Sequence, residues 1–284
     1  MKLNSNLMSL SIYKNYSKTL VRQSNALKRI STGEMINSSK DNPHGLAKSE
    51  LLRMQIRGND VANKNLQDTT AMLQTADSAM GNINAALTRM KELAIQSGGA
   101  MSSYDREIIQ QEIDELIEHI DTVANTAEFN GVKLLKAEGT NNNNPRMLLS
   151  ASGANVGDVI DIPLYNLSLD SLKSSSDDSL EKVDIVDPGS LDKSLEIIDD
   201  ISKKVNSMRS KYGAIMGTTE RIGYNLSELN LLNQGAESSI RDADVAIEMV
   251  NYSKEEILIN TATALMAQSN RFPQEILRIL ENVK

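Results

Sequence analysis

Apolar residues recur in alternating steps of three and four along three long, separated stretches of this 284-residue chain. That alternation constrains the fold more than any other feature. From Leu66 the series runs through Thr69, Leu73, Ala76, Met80, Ile83, Leu87, Met90 and Ala94, a spacing that lays one seam along a single helix face. "SGGAMSS" then supplies a turn, and Ile109, Ile113, Leu116, Ile120 and Val123 repeat the alternation, so a second helix folds back on the first. The pattern returns at Ile198, Ile201, Val205, Met208, Tyr212, Ile215, Thr219, Ile222, Leu226 and Leu229 and stops before "NQG", Asn233 to Gly235. An isolated amphipathic helix is marginal in water. Fully burying a Leu or Ile contributes about 1.5 to 3 kcal/mol, so three such seams joined together outweigh the entropy of ordering them. The expected fold is mainly α: a long antiparallel helical bundle whose core is discontinuous in sequence.

Between the second and third seams the character changes. "EFNGVKLL" places an Asn-Gly pair before a β-prone run, and "RMLLSASGANVGDVIDIPLYNL" offers short apolar runs separated by Gly, Asn and Pro. A small β-hairpin region over about residues 127–170 follows from these signals. "GTNNNNP" and "LKSSSDDSLEKVDIVDPGS" read as polar surface loops, because neither holds enough apolar residues to make a core.

The two ends carry weaker series. Leu3, Leu7, Leu10, Tyr13, Tyr16, Leu20, Leu27 and Ile30 mark an N-terminal helix; Ile240, Ala243, Ile247, Val250, Ile257 and Ala264 mark a C-terminal one, with Lys254 and Thr261 interrupting it. Two weakly apolar helices pair poorly alone, so both ends are expected to be mobile in the monomer and to gain order when neighbouring copies supply the missing contacts. The breaker-rich stretch from Ser31 to Gly45 then joins the self-association layer to the bundle, and "LLNQGAESS" is the return crossing. The resulting division is 1–32 and 240–284 for the paired terminal coiled-coil helices, 33–45 and 233–239 for the connectors, and 46–232 for the bundle.

Composition removes several function classes. A net charge of −8 argues against a phosphate-binding surface and hence a nucleic-acid partner. Zero Cys excludes disulfides, thiolate metal sites and thiol nucleophiles. No run approaches the ~20 apolar residues that span a bilayer, so no membrane insertion is expected. The start, "MKLNSNLMSLSIYKNY", lacks the continuous apolar run of a cleavable signal peptide. His44 and His119 are too far apart for a zinc helix motif, and the carboxylates of "DREIIQQEIDELIEHID" mark the wet side of a helix rather than an acid–base pair. Asp242 and Asp244 in "IRDADVA" lack calcium-loop spacing and read as helix N-terminal charges. No enzyme activity and no cofactor are expected.

Longer motifs add a family. "LKRISTGEMINSSKDNPHGLA", "TRMKELAIQS" and "TAEFNGVKLL" in the first half, with "RSKYGAI", "SSIRDADVAIEM" and "ALMAQSN" in the second, resemble bacterial flagellin, the flagellar filament subunit. The resemblance implies a minimal two-layer form without large outer domains, in which the paired terminal helices build the inner tube of a helical filament used for motility. It implies a homopolymer of many copies, polymerising through Leu3, Leu7, Leu10, Leu20, Leu27, Ile240, Ile247, Val250, Ile257 and Ala264. It also implies type III export to the extracellular filament, a flagellar export chaperone on the C-terminal helix, a cap protein and hook-associated proteins. Arg89, Leu93 and Glu112 match the family positions that engage the toll-like flagellin receptor of animals. The end, "QSNRFPQEILRILENVK", departs from the Gln-rich family pattern, and Pro273 is expected to kink or interrupt the helix. The alternatives to a flagellin are a hook-filament junction protein, with the same terminal architecture but few copies, and a coiled-coil signalling scaffold, which the heptads alone would permit.

Overall fold

The computed structural model describes residues 6–99, 101–136, 146–151, 159–169, 171–174, 178–187 and 189–282, with backbone alone at 146–151, 276, 277 and 279–282. Among these, long helices dominate: α1 (Leu7–Thr32), α2 (Pro43–Ser97), α3 (Ser103–Thr126), α4 (Leu191–Arg241) and α5 (Val245–Asn282). Four short strands lie between α3 and α4: β1 (Glu128–Phe129), β2 (Val132–Lys133), β3 (Arg146–Ala151) and β4 (Val159–Leu164). The chain divides into one unit of residues up to Gln55 with those from Leu232 on, and a second of Ile56–Leu231.

The second unit is a three-helix bundle with a β cover. On α2 every seam residue from Leu66 to Ala94 is buried. Ile109, Ile113 and Ile120 of α3 are buried opposite them, joined by Ile117 and Ala124, and Ile198, Ile201, Val205, Met208 and Tyr212 of α4 complete the core. Polar ties fix the antiparallel run of α2 against α4: Arg209 donates to Asp77 from Nε at 2.9 Å and Nη2 at 3.3 Å, and Lys91 Nζ lies 2.6 Å from Asp199 Oδ1. The seam of α4 ends at Leu226, since Leu229 is exposed.

The β region forms as the turn residues direct. Asn130 and Gly131 both take positive φ, 50° and 78°, the pair of left-handed residues that a two-residue turn between β1 and β2 requires. β3 and β4 pair antiparallel from Arg146 with Leu164 to Ala151 with Val159. Tyr212 anchors this pair to α4: its buried hydroxyl donates to the Pro163 carbonyl at 2.8 Å, and its ring lies 5.6 Å from that of Tyr165. Burial pushes the Tyr212 phenol far above its ordinary pKa, so it stays a donor.

Three expectations need correction. The segment read as a polar loop, "LKSSSDDSLEKVDIVDPGS", sends Leu172, Leu180, Val183 and Ile185 into the core. Its thin apolar content hid this, because the burial is held by side-chain bonds to the main chain. Gln110 Nε2 donates to Val183 O at 3.0 Å and Gln110 Oε1 accepts from Ile185 N at 3.0 Å. Second, the return connector expected at 233–239 is helical: α4 continues to Arg241. One Gly inside a helix costs only about 1 kcal/mol, and Glu237 is held by Arg53 Nε at 2.9 Å and Ser49 Oγ at 3.1 Å. The break falls instead at Asp242–Asp244, where Asp244 Oδ1 caps α5 by accepting from Ala246 N at 2.9 Å and Ile247 N at 3.2 Å. Third, of the two outcomes expected at Pro273, interruption is removed, because the residue lies inside α5. "GTNNNNP", also expected as a loop, lies outside the described residues.

In the first unit the breakers Gly33, Asp41, Asn42 and Pro43 of the stretch from Ser31 to Gly45 each have work. Gly33 closes α1 in the left-handed conformation, φ 71°, with its N–H on Arg29 O at 2.8 Å. Asp41 Oδ2 accepts from Asn37 N at 3.2 Å and Ser38 N at 3.0 Å, and Asn42 Oδ1 accepts from Gly45 N at 2.9 Å as Pro43 opens α2. The two crossings then bond to each other, Met35 N to Arg241 O at 2.7 Å and Ala243 N to Gly33 O at 2.8 Å. Arg241 adds ion pairs to Glu34 at 3.1 Å and Glu50 at 2.9 Å.

Candidate assembly surface

α1 and α5 pair antiparallel within the chain. Asn6 Nδ2 donates to Ser269 O at 2.9 Å at one end, Arg22 Nε lies 3.4 Å from Glu255 Oε2 in the middle, and Arg29 Nη1 donates to Glu248 Oε1 at 3.0 Å at the other. The covered residues of α1 step through Ser9, Ile12, Tyr16, Thr19, Gln23, Ala26 and Ile30, with Ser17 and Arg29 partly covered beside them. Those of α5 step through Glu248, Tyr252, Glu255, Ile259, Ala262, Met266, Ser269 and Pro273, and every other residue of α5 between Glu248 and Pro273 is exposed. Both series alternate three and four, as a two-helix seam requires. Their chemistry is unusual for a seam: Thr19, Ala26, Glu255 and Ser269 are its buried members.

The apolar residues that the sequence marks for polymerisation therefore lie elsewhere on the same helices. Leu7, Leu10, Leu20 and Leu27 of α1 are exposed, as are Ile247, Val250, Ile257 and Ala264 of α5, with Ile257 at 65%. None of them contributes to the intrachain seam. Ile240 is half-buried on α4 rather than on the terminal helix, and Leu3 lies outside the described residues. The sequence reading missed Leu258, Leu265 and Phe272, which extend the exposed apolar surface of α5. It also missed the polar seam, although Glu248, Glu255, Ala262 and Ser269 stand seven residues apart, a heptad signal carried by small and polar types. On α1 the charges are all positive: Lys14, Lys18, Arg22, Lys28 and Arg29, without one acidic residue.

The Arg89 group is split by the fold. Arg89 on α2 donates to Glu112 Oε1 of α3 from Nε at 3.0 Å and Nη2 at 2.8 Å, and both side chains are about half exposed. This hydrogen-bonded carboxylate raises the Arg89 pKa. Leu93, at 2% exposure, belongs to the bundle core.

A bundle with a conventional core, joined in one chain to a two-helix coil that leaves large apolar side chains exposed, defines a long-helical protein of two units. Comparison with known proteins gives the family. The chain matches the bacterial flagellin N-terminal helical region over residues 3–140 and the bacterial flagellin C-terminal helical region over residues 195–280. It is 33% identical to a flagellin of Halalkalibacterium halodurans over 99% of this chain and 100% of that protein. It is 32% identical to flagellin FlaB1 of Treponema pallidum over the same shares of each. The chain belongs to the bacterial flagellin family, whose members are non-enzymatic structural subunits of the extracellular flagellar filament. A solved structure described as a flagellar hook-associated protein of Vibrio parahaemolyticus aligns with a TM-score of 0.61 at 15% identity, covering 71% of this chain and 100% of that one. That likeness is one of fold alone.

Proposed function

We propose that the exposed apolar residues of α1 and α5 are the polymerisation surface of this flagellin. The observation that carries the reading is the outward placement of Leu10, Leu20, Leu27, Ile247, Val250 and Ile257 on helices whose own pairing leaves them uncovered. Exposed apolar area of this extent is stable in water only when something covers it, and in a homopolymer the cover is another copy. Ile257→Asp and Leu20→Asp are expected to abolish filaments in seeded reassembly followed by electron microscopy, while the helical signal of the monomer stays intact. Undiminished filaments from both variants would reject the surface. Deletion of the residues before Leu20 or after Leu265 should act in the same way.

The same uncovered face of α5 is the surface we assign to the export chaperone before assembly, with the cap and hook-associated proteins as further partners at the filament ends. The expected ordering of the termini on assembly belongs to the same proposal, and protease resistance of both ends in verified monomer would defeat it. A second reading concerns the free subunit. The half-exposed Arg89–Glu112 pair supports contact with the toll-like flagellin receptor, with Leu93 supporting the helix from beneath rather than touching a partner. An unchanged reporter response to Arg89→Ala monomer would count against it.

A further inference from the structure

Sulfur is distributed unevenly between the two units. The chain has no Cys, so its 13 methionine thioethers are its only sulfur groups. In the unit of Ile56–Leu231, Met72, Met80, Met90 and Met208 are at most 6% exposed, and Met101 and Met216 pack partly buried against that core. In the unit formed by the two ends, Met8, Met35, Met54 and Met249 are 52% to 70% exposed, while Met266 is partly covered in the α1–α5 seam. Every exposed methionine among the described residues therefore belongs to the unit that carries the terminal helices.

A thioether is oxidised only when the oxidant reaches its sulfur, and a core packed to crystal density keeps the oxidant out. With hydrogen peroxide the sulfur lone pair attacks one peroxide oxygen. The S–O bond forms as the O–O bond breaks, and the departing hydroxide takes the proton of the transferred oxygen and leaves as water. The thioether is oxidised by two electrons to the sulfoxide and the peroxide is reduced. A flexible apolar side chain thereby becomes a polar one.

The four exposed sites stand where that change matters. Met8 lies between the exposed Leu7 and Leu10 on α1, and Met249 directly precedes the exposed Val250 on α5. Met54 is three residues beyond the exposed Leu51 on α2, one helical turn away. Met35 lies in the crossing, where its N–H donates to Arg241 O at 2.7 Å. A sulfoxide at these positions removes apolar surface that covering would otherwise take out of water, and none of the four belongs to the bundle core.

We propose that Met8, Met35, Met54 and Met249 are oxidation sites through which a peroxide disables the free subunit for assembly while leaving its bundle folded. This rests on the polymerisation reading above and adds a modification that acts on the same unit. The test treats monomer briefly with dilute hydrogen peroxide, removes the oxidant, maps added oxygen by peptide mass spectrometry and follows seeded reassembly. Sulfoxide is expected at the four sites before any appears at Met80 or Met90, with the urea midpoint of the helical signal unchanged and filaments lost. The two methionine sulfoxide reductases, one for each sulfoxide epimer, should together restore filaments. A variant combining Met8→Leu, Met35→Leu, Met54→Leu and Met249→Leu, near-isosteric changes, should assemble equally well before and after peroxide. Should that variant fail to assemble untreated, reductase rescue of the oxidised natural chain decides the matter.

Equal oxidation of Met80 and Met90, filaments lost from the treated leucine variant, or no rescue by the reductases overturns the proposal. The two readings fail differently. Filaments that survive both Ile257→Asp and Leu20→Asp remove the polymerisation surface itself, whereas filaments lost in those variants but undiminished after oxidation at all four methionines remove the oxidation proposal alone.

Discussion

The bundle and the terminal coil obey the same heptad rule with different contents. Around α2, α3 and α4 the alternating positions are Leu, Ile and Met at or near zero exposure, and charged residues face water. Along α1 and α5 the alternating positions mix Ile12, Ile30, Ile259 and Met266 with Thr19, Gln23, Glu255 and Ser269, while Leu20, Leu27, Ile257 and Leu265 face outward. The first region satisfies its apolar surface inside one chain. In the proposed polymer the second defers that burial to neighbouring copies, while a thin mixed seam holds the two helices in register. On that proposal the subunit stays folded through its bundle and gains most from the coil only in polymer, so that assembly is coupled to the burial of the terminal faces.

The largest effect that tests this contrast is the same charge placed in each region. Ile113→Asp puts a carboxylate in a fully buried site and should cost the monomer at least about 4 kcal/mol, measured by urea unfolding of the helical signal. Ile257→Asp should change monomer stability by less than about 0.5 kcal/mol; equal costs would erase the distinction. Tyr212→Phe comes next, since it orphans the buried Pro163 carbonyl. A loss of about 1 to 3 kcal/mol is expected, concentrated in hydrogen-exchange protection of β3 and β4. Glu255→Leu sharpens the coil side. The Glu255 carboxylate is buried, and its Oε2 lies near Arg22 without an aligned hydrogen bond. Replacing a poorly satisfied buried charge with an apolar side chain should strengthen the α1–α5 pairing by about 1 kcal/mol, seen as slower proteolysis of both termini.

The smallest effect concerns the connector. Hydrogen bonding, first from Ser38, lowers the Asp41 pKa below the ordinary carboxylate value. A group whose folded pKa is depressed contributes above its unfolded pKa and loses that contribution as pH falls through the folded one. Amide protection at Asn37 and Ser38 should therefore persist at neutral pH and fade in acid below the usual aspartate range, followed by NMR titration.

How much of this was readable in advance varied with the source of the signal. The bundle seams were legible residue by residue from Leu66 to Ala94 because an apolar core imposes its period on apolar residues. The Asn130–Gly131 turn was legible because few residue types tolerate its backbone. The end of α4 was not: Gly235 reads as a breaker, and the ties from Arg53 and Ser49 to Glu237 that carry the helix past it come from distant sequence. Nor was the burial of Val183 and Ile185, which depends on Gln110 reaching their main chain rather than on any pattern of their own.

The candidate surface shows the same divide. Leu10, Leu20, Leu27 and Ile257 could be marked as assembly residues from the flagellin motifs and their spacing, but spacing gives only which residues share a face, not whether that face is covered. The sequence by itself determined the family, the helical character and the residues that must leave water somewhere, since local periodicity and motif order are carried along the chain. Only the tertiary structure decided that α1 and α5 pair through a mixed seam and leave Leu20, Leu27, Ile257 and Leu265 exposed. That outcome depends on antiparallel pairing and on the ties of Asn6 to Ser269 and Arg29 to Glu248, contacts between residues at opposite ends of the chain that no local pattern encodes.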